Sequence, residues 1–230
     1  MKKYDIFLFD ADDTLFDYDL AEKNALEIMF NYCGFVYSDN IRKIYREINS
    51  KVWENYEKGE ISKDELQTLR FKRLFSEIGV EYDPKTFNEK YLIELGKGGY
   101  LINGAYEICK NIISKNKKIY IVTNGILVTQ ENRIKHSIIK EFISDYFVSE
   151  FVGYQKPNKL YFDYVFKNIP KIEKDRIIII GDNLKNDILG GINAGIDTCW
   201  FNNLKKENNT EIQPTYEIEN LNELREPLKT

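Results

Sequence analysis

The sequence predicts an α/β protein: a Rossmann-like parallel sheet flanked by helices, with an all-helical subdomain inserted into it. Two patterns favour this class. From Leu101 onward, short apolar runs alternate with helical segments, which is typical of consecutive βαβ units. Between residues 16 and 98, four helical patterns follow one another without a strand, which does not fit simple strand–helix alternation. We therefore expect a core domain of residues 1–15 and 99–230 and a helical domain of residues 16–98.

The first predicted strand ends on a cluster of carboxylates. Asp5 to Phe9 is a short apolar run typical of a strand buried on both faces, and Asp10, Asp12 and Asp13 follow it. Ligands bind outside the carboxyl ends of strands in open parallel sheets, so we expect Asp10 and Asp12 in an active site. At this spacing, one can act as a carboxylate nucleophile while the other transfers protons. The alternative is a helix N-cap at Asp12 or Asp13.

The helical subdomain is predicted from capping residues and glycine stops. Ser or Asp precedes each apolar pattern of helical period, and a glycine follows it. The predicted helices begin near Asp19, Ser38, Ser62 and Asp83 and end near Tyr32, Gly59, Gly79 and Gly96. Beside a catalytic strand end, such a subdomain is suited to close over a substrate and exclude water.

The remaining elements follow the alternation of strand and helix. Strands are expected in short apolar runs rich in β-branched residues, and helices where apolar residues recur at helical spacing. The predicted strands are 118–122, 146–148, 176–180 and 198–201, and the predicted helices are 104–114 with Asn103 as its cap, 127–137, 159–167 and one that reaches Gly195. Residues 216–229 are expected to add an edge strand and a helix.

Other core strands are also predicted to end in polar groups. Thr123 and Asn124 lie at a strand-to-helix turn, where a hydroxyl, an amide and backbone N–H groups suit a phosphate, although a ligand-free N-cap explains them equally well. Asp182 ends a strand and Asp187 begins the next helix, an arrangement suited to a divalent cation such as Mg²⁺. Lys156 is a candidate for the positive charge that the acids require, although most lysines are solvent-exposed.

Composition excludes several functional classes. The net charge of −4 gives no electrostatic footprint for a nucleic-acid polymer. His136 is the single histidine, which excludes histidine-based triads and multi-histidine metal sites. The three widely spaced cysteines support neither a disulfide framework nor a CxxC metal site. Without a signal segment or an apolar run of about 18 residues, we expect a cytoplasmic protein with no membrane partner. No protein partner is evident.

Together, these residues resemble the haloacid dehalogenase (HAD) superfamily, whose four motifs occur here in order. The motifs are Asp10-Ala11-Asp12-Asp13-Thr14, then Thr123, then Lys156, and finally Asp182 with Asp187. Asp13 stands where many members have glycine. The resemblance extends from Lys3 to about Phe201, and the helices between the first two motifs resemble the family's C1-type cap.

The resemblance implies a Mg²⁺-dependent phosphatase that works through an aspartyl-phosphate. Asp10 would attack phosphorus, and Asp12 would protonate the leaving alcohol and later activate water. Thr123 and Lys156 would hold phosphate oxygens, with Asn124 beside them. The implied metal ligands are the Asp10 carboxylate, the Asp12 backbone carbonyl and Asp182. Asp187 would support the site either as a direct metal ligand or by contacting these ligands. Phosphoryl transfer depends on such positioning and charge neutralisation.

Two further features bear on the substrate. Dehalogenase members of the family lack the second acid of the first motif, so Asp12 favours phosphatase chemistry. The segment 49–61, continuing to Leu69-Arg70-Phe71, is similar to the branch of pyrimidine and other nucleoside-monophosphate phosphatases. This likeness implies a small phosphorylated metabolite, a nucleoside 5'-monophosphate, as substrate. Trp53 and Arg70 are candidates for substrate contact, against the alternatives that Trp53 packs and Arg70 pairs with a glutamate.

Three other functions fit parts of the pattern. A signalling receiver also gathers acids, a threonine and a lysine at strand ends, but the helical insertion and Asp12 argue against it. A non-catalytic phosphate-binding protein would keep the motifs without turnover. A phosphatase or mutase acting on sugar phosphates or other small metabolites is compatible with the same fold.

Overall fold

The structure is a computed structural model that describes residues 4–225. These residues divide into two compact units. One contains the chain up to Tyr18 and from Gly99 onward, and the other is Asp19–Gly98. The first is an α/β unit and the second a helical unit, and each is described by itself below.

The α/β unit is built on a parallel sheet that contains six strands in the described part of the chain. In sequence order the strands are β1 (Ile6–Phe9), β2 (Lys118–Thr123), β3 (Ile143–Val148), β4 (Ile177–Gly181), β5 (Asp197–Phe201) and β6 (Tyr216–Ile218). Their order across the sheet is β3-β2-β1-β4-β5-β6. The predicted α/β class with a Rossmann-like parallel sheet is confirmed.

The strands form where apolar residues can be covered on both faces of the sheet. All four residues of β1 are buried, and so are all five of β4. Every second side chain of these strands enters one of two apolar clusters: Phe7 and Phe9 lie in one, and Ile6 and Leu8 in the other. The central strands are therefore held from both sides, which fixes the positions of the residues at their ends.

Both units contain helices, which follow one another in the helical unit and alternate with strands in most of the α/β unit. Those of the helical unit are α1 (Tyr18–Tyr32), whose first residue still belongs to the α/β unit, α2 (Asp39–Glu57), α3 (Lys63–Ile78) and α4 (Pro84–Lys97). Those of the α/β unit are α5 (Ala105–Ser114), α6 (Leu127–His136), α7 (Ser149–Val152), α8 (Lys159–Asn168) and α9 (Leu189–Ala194). A π-helical turn, Leu184–Ile188, leads into α9. The short helix α7 was not predicted, because four residues are too few to show a helical period.

In the helical unit, three of the four predicted caps are confirmed. Ser38 accepts a hydrogen bond from the backbone of Ile41, Ser62 forms a capping box with Glu65, and Asp83 caps α4. The capping box predicted at Asp19–Glu22 is wrong. Asp19 already lies inside α1 and forms ion pairs with arginines of α2.

Differences in the α/β unit concern the ends of elements. The predicted cap Asn103 is wrong, since Gly104 in a left-handed conformation precedes α5 and no side chain caps it. β3 begins at Ile143 rather than near Tyr146. Of the predicted C-terminal elements, β6 is present and a 3-10 turn spans Leu221–Arg225, while residues 226–230 lie outside the described chain. In residues 4–225, no helix has the length and apolar character needed to cross a membrane.

Candidate active site

The candidate site lies at the carboxyl edge of the parallel sheet. Phe9 at the end of β1 pairs with Ile121 of β2 on one side and Ile180 of β4 on the other. In this register the residues that follow, Asp10 and Asp182, come to the same edge as the end of β2. The sheet thus brings together acids that are 172 positions apart in the chain (182 − 10).

Lys156 is the centre of the site. Its side chain is 2% exposed, and its ammonium donates to Asp10 Oδ1 at 2.6 Å, Asp187 Oδ1 at 2.6 Å and the Val122 carbonyl oxygen at 2.7 Å. A lysine ammonium has three protons to donate, so these contacts engage all of them. The lysine predicted to lie near the acids therefore forms a buried ion pair with two of them, and binding a phosphate oxygen would require it to release a present partner.

Burial and neighbouring charges shift the pKa values of Lys156 and of the acids around it. Burial raises the pKa of Asp10 well above its usual range; the charges of Asp187 and Asp182 raise it further, while Lys156 opposes the shift. Burial, together with the charges of Asp187 and Asp13, raises the pKa of Asp182 to about 7. Burial lowers the pKa of Lys156, but attraction to Asp10 and Asp187 outweighs this and raises it. One lysine thus faces more negative charge than it can offset.

This excess of negative charge fits a hard cation. One carboxylate oxygen from each of Asp10, Asp182 and Asp187 lies within 4.8 Å of the others. Oxygen donors are the ligands that Mg²⁺ prefers, and the cation usually keeps several waters beside one or two carboxylates. The donor chemistry therefore fits Mg²⁺ at Asp10 and Asp182. Asp187 is less available, because Lys156 and the Asn183 backbone N–H already donate to its two oxygens.

A glycine makes room for Asp187. A Cβ atom added to Gly181 would lie 2.2 Å from Asp187 Oδ2, well inside van der Waals contact. Any other residue at the end of β4 would displace the carboxylate that holds Lys156. The glycine before the fourth motif is thus required by the approach of a side chain.

The turn after β1 links the first and fourth motifs. The buried hydroxyl of Thr14 accepts a hydrogen bond from the Asp182 backbone N–H at 3.1 Å. Asp13 has φ of 58°, the left-handed region that favours glycine and costs other residues roughly 1–2 kcal/mol. This explains why a glycine is common at this position in the family that the sequence resembles.

The second motif holds the loop that carries Lys156. Asn124 donates to the Lys156 carbonyl oxygen at 2.9 Å and accepts from the Lys156 backbone N–H at 2.9 Å. Both ends of the amide thus hold the loop that carries Lys156, and a contact of its second N–H with phosphate stays a prediction. Thr123 is buried at the end of β2, and its hydroxyl accepts from the Gly125 backbone N–H.

Asp12 has two partners that the sequence analysis missed. Its Oδ1 forms an ion pair with Arg133 Nη1, and its Oδ2 accepts a hydrogen bond from Gln130 Nε2 at 2.7 Å. Both residues are buried on α6. One signal could have revealed them: α6 begins just after Thr123-Asn124-Gly125, and its inward face contains polar residues where a packing helix would have apolar ones.

The two residues of the helical unit that were predicted to contact the substrate, Arg70 and Trp53, differ in their burial. Arg70 is 1% exposed and lies inside the unit, where Nη2 donates to Asn88 Oδ1 at 2.6 Å and the guanidinium lies 5.2 Å from the ring centres of Phe71 and Tyr91. The prediction that Arg70 contacts substrate is therefore corrected, as is the alternative that it pairs with a glutamate. Trp53 packs edge-on against a neighbouring ring. It is half-buried, so part of its side chain is exposed.

Comparison with known proteins identifies the family. Haloacid dehalogenase-like hydrolases match residues 7–201. The HAD-hydrolase YfnB of Bacillus subtilis is 42% identical over 224 residues, covering 97% of this chain and 95% of YfnB. A crystal structure of YfnB bound to magnesium matches with a TM-score of 0.93 at 41% identity and covers 100% of both chains.

Two other relatives are named for an enzymatic activity. The pyrimidine 5'-nucleotidase PynA of Streptococcus pneumoniae is 37% identical over 215 residues, covering 94% of this chain and 91% of PynA. The pyrimidine 5'-nucleotidase YjjG of Escherichia coli is 34% identical over 226 residues, covering 98% of each chain. The similarity extends along nearly the whole sequence, so the predicted resemblance is confirmed and this chain belongs to the haloacid dehalogenase-like hydrolase family.

Proposed function

We propose that this hydrolase is a Mg²⁺-dependent phosphatase that cleaves small phosphomonoesters through an aspartyl-phosphate on Asp10. The observation that carries the proposal is the environment of Asp10. Its carboxylate lies at the carboxyl end of the central strand β1, keeps 12% of its surface exposed and is held by Lys156. A carboxylate fixed in this way on a rigid strand is preorganised for attack.

The reaction would proceed in two displacement steps. An Asp10 oxygen forms a bond to phosphorus while the bond between phosphorus and the alcohol oxygen breaks, and Asp12 gives its proton to the departing alcohol. Water then attacks the phosphorus of the aspartyl-phosphate, Asp12 takes a proton from it, and Asp10 is released with inorganic phosphate. The 30% exposure of the Asp12 side chain supports its access to the leaving group and to water.

The metal would be held by the Asp10 carboxylate, the Asp12 backbone carbonyl and Asp182, with Asp187 behind them. Bound there, Mg²⁺ would supply positive charge to the phosphate oxygens. Asp187 keeps Lys156 directed at Asp10, and Asn124 fixes the backbone of the same lysine. We propose that Lys156 and Thr123 contact the phosphate oxygens, with Lys156 exchanging one of its present partners for the phosphate.

For the substrate we propose a nucleoside 5'-monophosphate, most readily a pyrimidine nucleotide. Two of the relatives are named pyrimidine 5'-nucleotidases, and their similarity covers both units of this chain. Trp53 remains a candidate for contact with the base, because an aromatic face can stack on it. A cytoplasmic location stays a prediction from the sequence.

The test is phosphate release with and without Mg²⁺ from a panel of nucleoside monophosphates, sugar phosphates and phosphorylated acids. Asp10→Asn is the control, since it keeps the shape of the side chain but removes the nucleophile. We expect metal-dependent release that prefers nucleoside monophosphates, and a loss of about 10⁴-fold or more in the variant. Thermal melting would show that the variant is folded.

The outcomes separate the candidate functions. Phosphate release from sugar phosphates alone would support the proposed mechanism but would show that a nucleotide is not the substrate. Near-normal release by folded Asp10→Asn would overturn the covalent mechanism. A stable phosphoprotein without turnover would indicate a receiver, and phosphate binding without either reaction would indicate a non-catalytic binding protein.

A further inference from the structure

Helix α6 directs two buried polar side chains at one carboxylate. Gln130 and Arg133 are three positions apart, so they lie on the same face of the helix. Gln130 is 1% exposed and Arg133 is fully buried. Both side chains reach Asp12, the residue proposed to move protons in the reaction.

The two contacts involve different oxygens of the carboxylate. Arg133 Nη1 forms an ion pair with Oδ1, and Gln130 Nε2 donates to Oδ2 at 2.7 Å. One contact would leave the carboxyl group free to rotate about its terminal bond. Two donors on two oxygens fix both the position and the plane of the group.

Other residues keep these two side chains in place. The Arg133 guanidinium lies 5.7 Å from the ring centre of Phe16 and 5.9 Å from that of Tyr18. A Cβ atom on Gly125 would lie 2.4 Å from Gln130 Nε2, so the glycine leaves room for the amide in its present position. The conformations of both side chains are therefore determined by packing rather than by solvent.

Within residues 4–225, these two side chains make no other hydrogen bonds that would explain their burial. Among the described residues, Nε and Nη2 of Arg133 and Oε1 of Gln130 are buried without a partner. Unpaired buried polar atoms are costly, and a helix that served only packing would have apolar residues at these positions. The benefit that offsets this cost lies at the Asp12 carboxylate.

We propose that Gln130 and Arg133 are positioning residues that hold Asp12 in the orientation in which it protonates the leaving alcohol. This inference rests on the proposed phosphatase function. Oδ1 is held by a charged group, whereas Oδ2 is held by a neutral amide. Oδ2 is therefore the oxygen that exchanges the proton, and Gln130 aligns it.

A comparison of leaving groups tests this role. An alkyl alcohol needs a proton as it departs, whereas p-nitrophenolate leaves without one. The variants Gln130→Met and Arg133→Met are compared with the wild-type protein on a nucleoside 5'-monophosphate and on p-nitrophenyl phosphate. The ratio kcat/KM covers the steps up to departure of the alcohol and excludes hydrolysis of the aspartyl-phosphate.

We expect kcat/KM for the nucleotide to fall about 100-fold in both variants, since general acid help contributes about 10² to 10⁴. For p-nitrophenyl phosphate we expect a loss of less than about fivefold, because only indirect effects remain. Lys135→Met is the matched control: Lys135 is an exposed cation on the same helix, and its removal should change neither value. Gln130→Met removes no charge, so it serves if Arg133→Met does not fold.

Equal losses on both substrates in folded variants would overturn the inference, because a residue needed only for packing impairs both alike. Unchanged activity of both variants on the nucleotide would also overturn the inference. If the wild-type protein releases phosphate from neither substrate, the proposed function itself fails, and the inference with it. That result is visible before any variant is made, so the two failures can be told apart.

Discussion

The two units each bury a cation almost completely, but the groups that surround the two cations differ. In the α/β unit, Lys156 donates to two carboxylates and a backbone carbonyl oxygen. In the helical unit, Arg70 has an amide, a tyrosine hydroxyl at 3.5 Å and two aromatic rings around it. Among the described residues, no carboxylate forms a salt bridge with Arg70.

The difference teaches how a buried charge relates to function. A buried ion pair is a poor source of stability, because loss of hydration offsets the attraction between the charges. Lys156 and its acids are thus better explained by the chemistry at the strand ends than by the stability of the sheet. Arg70, which faces rings and an amide inside its own unit, is explained by packing and by its hydrogen bonds.

The largest effect is expected from Lys156→Met. The substitution leaves Asp10 and Asp187 buried without their cation, which should lower the free energy of unfolding by about 3–5 kcal/mol. Phosphate release should fall by about 10³-fold or more, as in the loss of a charge that stabilises a transition state. Denaturant unfolding and phosphate release measure the two effects.

Lys159→Met provides the control for that variant. Lys159 is exposed and pairs with Asp163 one turn later, so its loss should change stability by less than about 0.5 kcal/mol. If Lys156→Met were as stable and as active as this control, the contrast between the two buried cations would have no functional meaning.

An intermediate effect is expected from Arg70→Met. It leaves Asn88 Oδ1 buried without its donor, which should cost about 1–3 kcal/mol. Since Arg70 is enclosed in the helical unit, kcat and KM for the preferred nucleotide should stay within about threefold of the wild-type values, the range of indirect effects. Arg73→Met removes an exposed cation from the next turn of α3 and should change neither property. A tenfold rise in KM for Arg70→Met alone would return Arg70 to the substrate site.

The smallest effect concerns a buried acid of the helical unit. Burial raises the pKa of Glu22 to about 7, although Arg46 and Arg42 oppose the shift. Between the ordinary glutamate pKa and about 7, the folded protein holds a proton that the unfolded chain releases. The free energy of unfolding should therefore fall as the pH rises through this window and level off above it.

Glu22→Gln should remove this part of the pH dependence. Between pH 5.5 and 6.5, denaturant unfolding of the wild-type protein should show a loss that is about 1 kcal/mol larger than in the variant, close to the limit for one proton over one pH unit. Glu47→Gln, at an exposed position of α2, should keep the wild-type slope. Parallel slopes for wild type and Glu22→Gln would mean that Arg42 keeps Glu22 ionised throughout.

The sequence predicted the parts of the site that are local in the chain. An apolar run followed by Asp10 and Asp12, or by Asp182, shows both a buried strand and the acid at its end. Because the ends of parallel strands meet at one edge, the meeting of these acids could be expected before the structure was known. The helix caps at Ser62 and Asp83 were predictable for the same reason, since they depend on residues three positions apart.

What the sequence did not predict depends on which side chain reaches which partner. Asn124 has the same local pattern whether or not it bonds to the Lys156 backbone, and only the packing of two loops shows that it does. Arg70 shows the pattern of an amphipathic helix, and only the aromatic cluster around it shows that it is enclosed. Gln130 and Arg133 lie more than 100 positions from Asp12, beyond any local pattern.

The sequence by itself thus determined the fold class, the family and the set of acids at the sheet edge, because hydrophobic period and strand direction fix where strand ends lie. Only the tertiary structure decided which cation compensates which acid, since that depends on distances between side chains from separate elements. Lys156 pairs with Asp10 and Asp187, and Arg133 pairs with Asp12. Among residues 4–225, no carboxylate pairs with Arg70. Electrostatic attraction decays with distance and burial strengthens it, so these pairings arise only once the chain is folded.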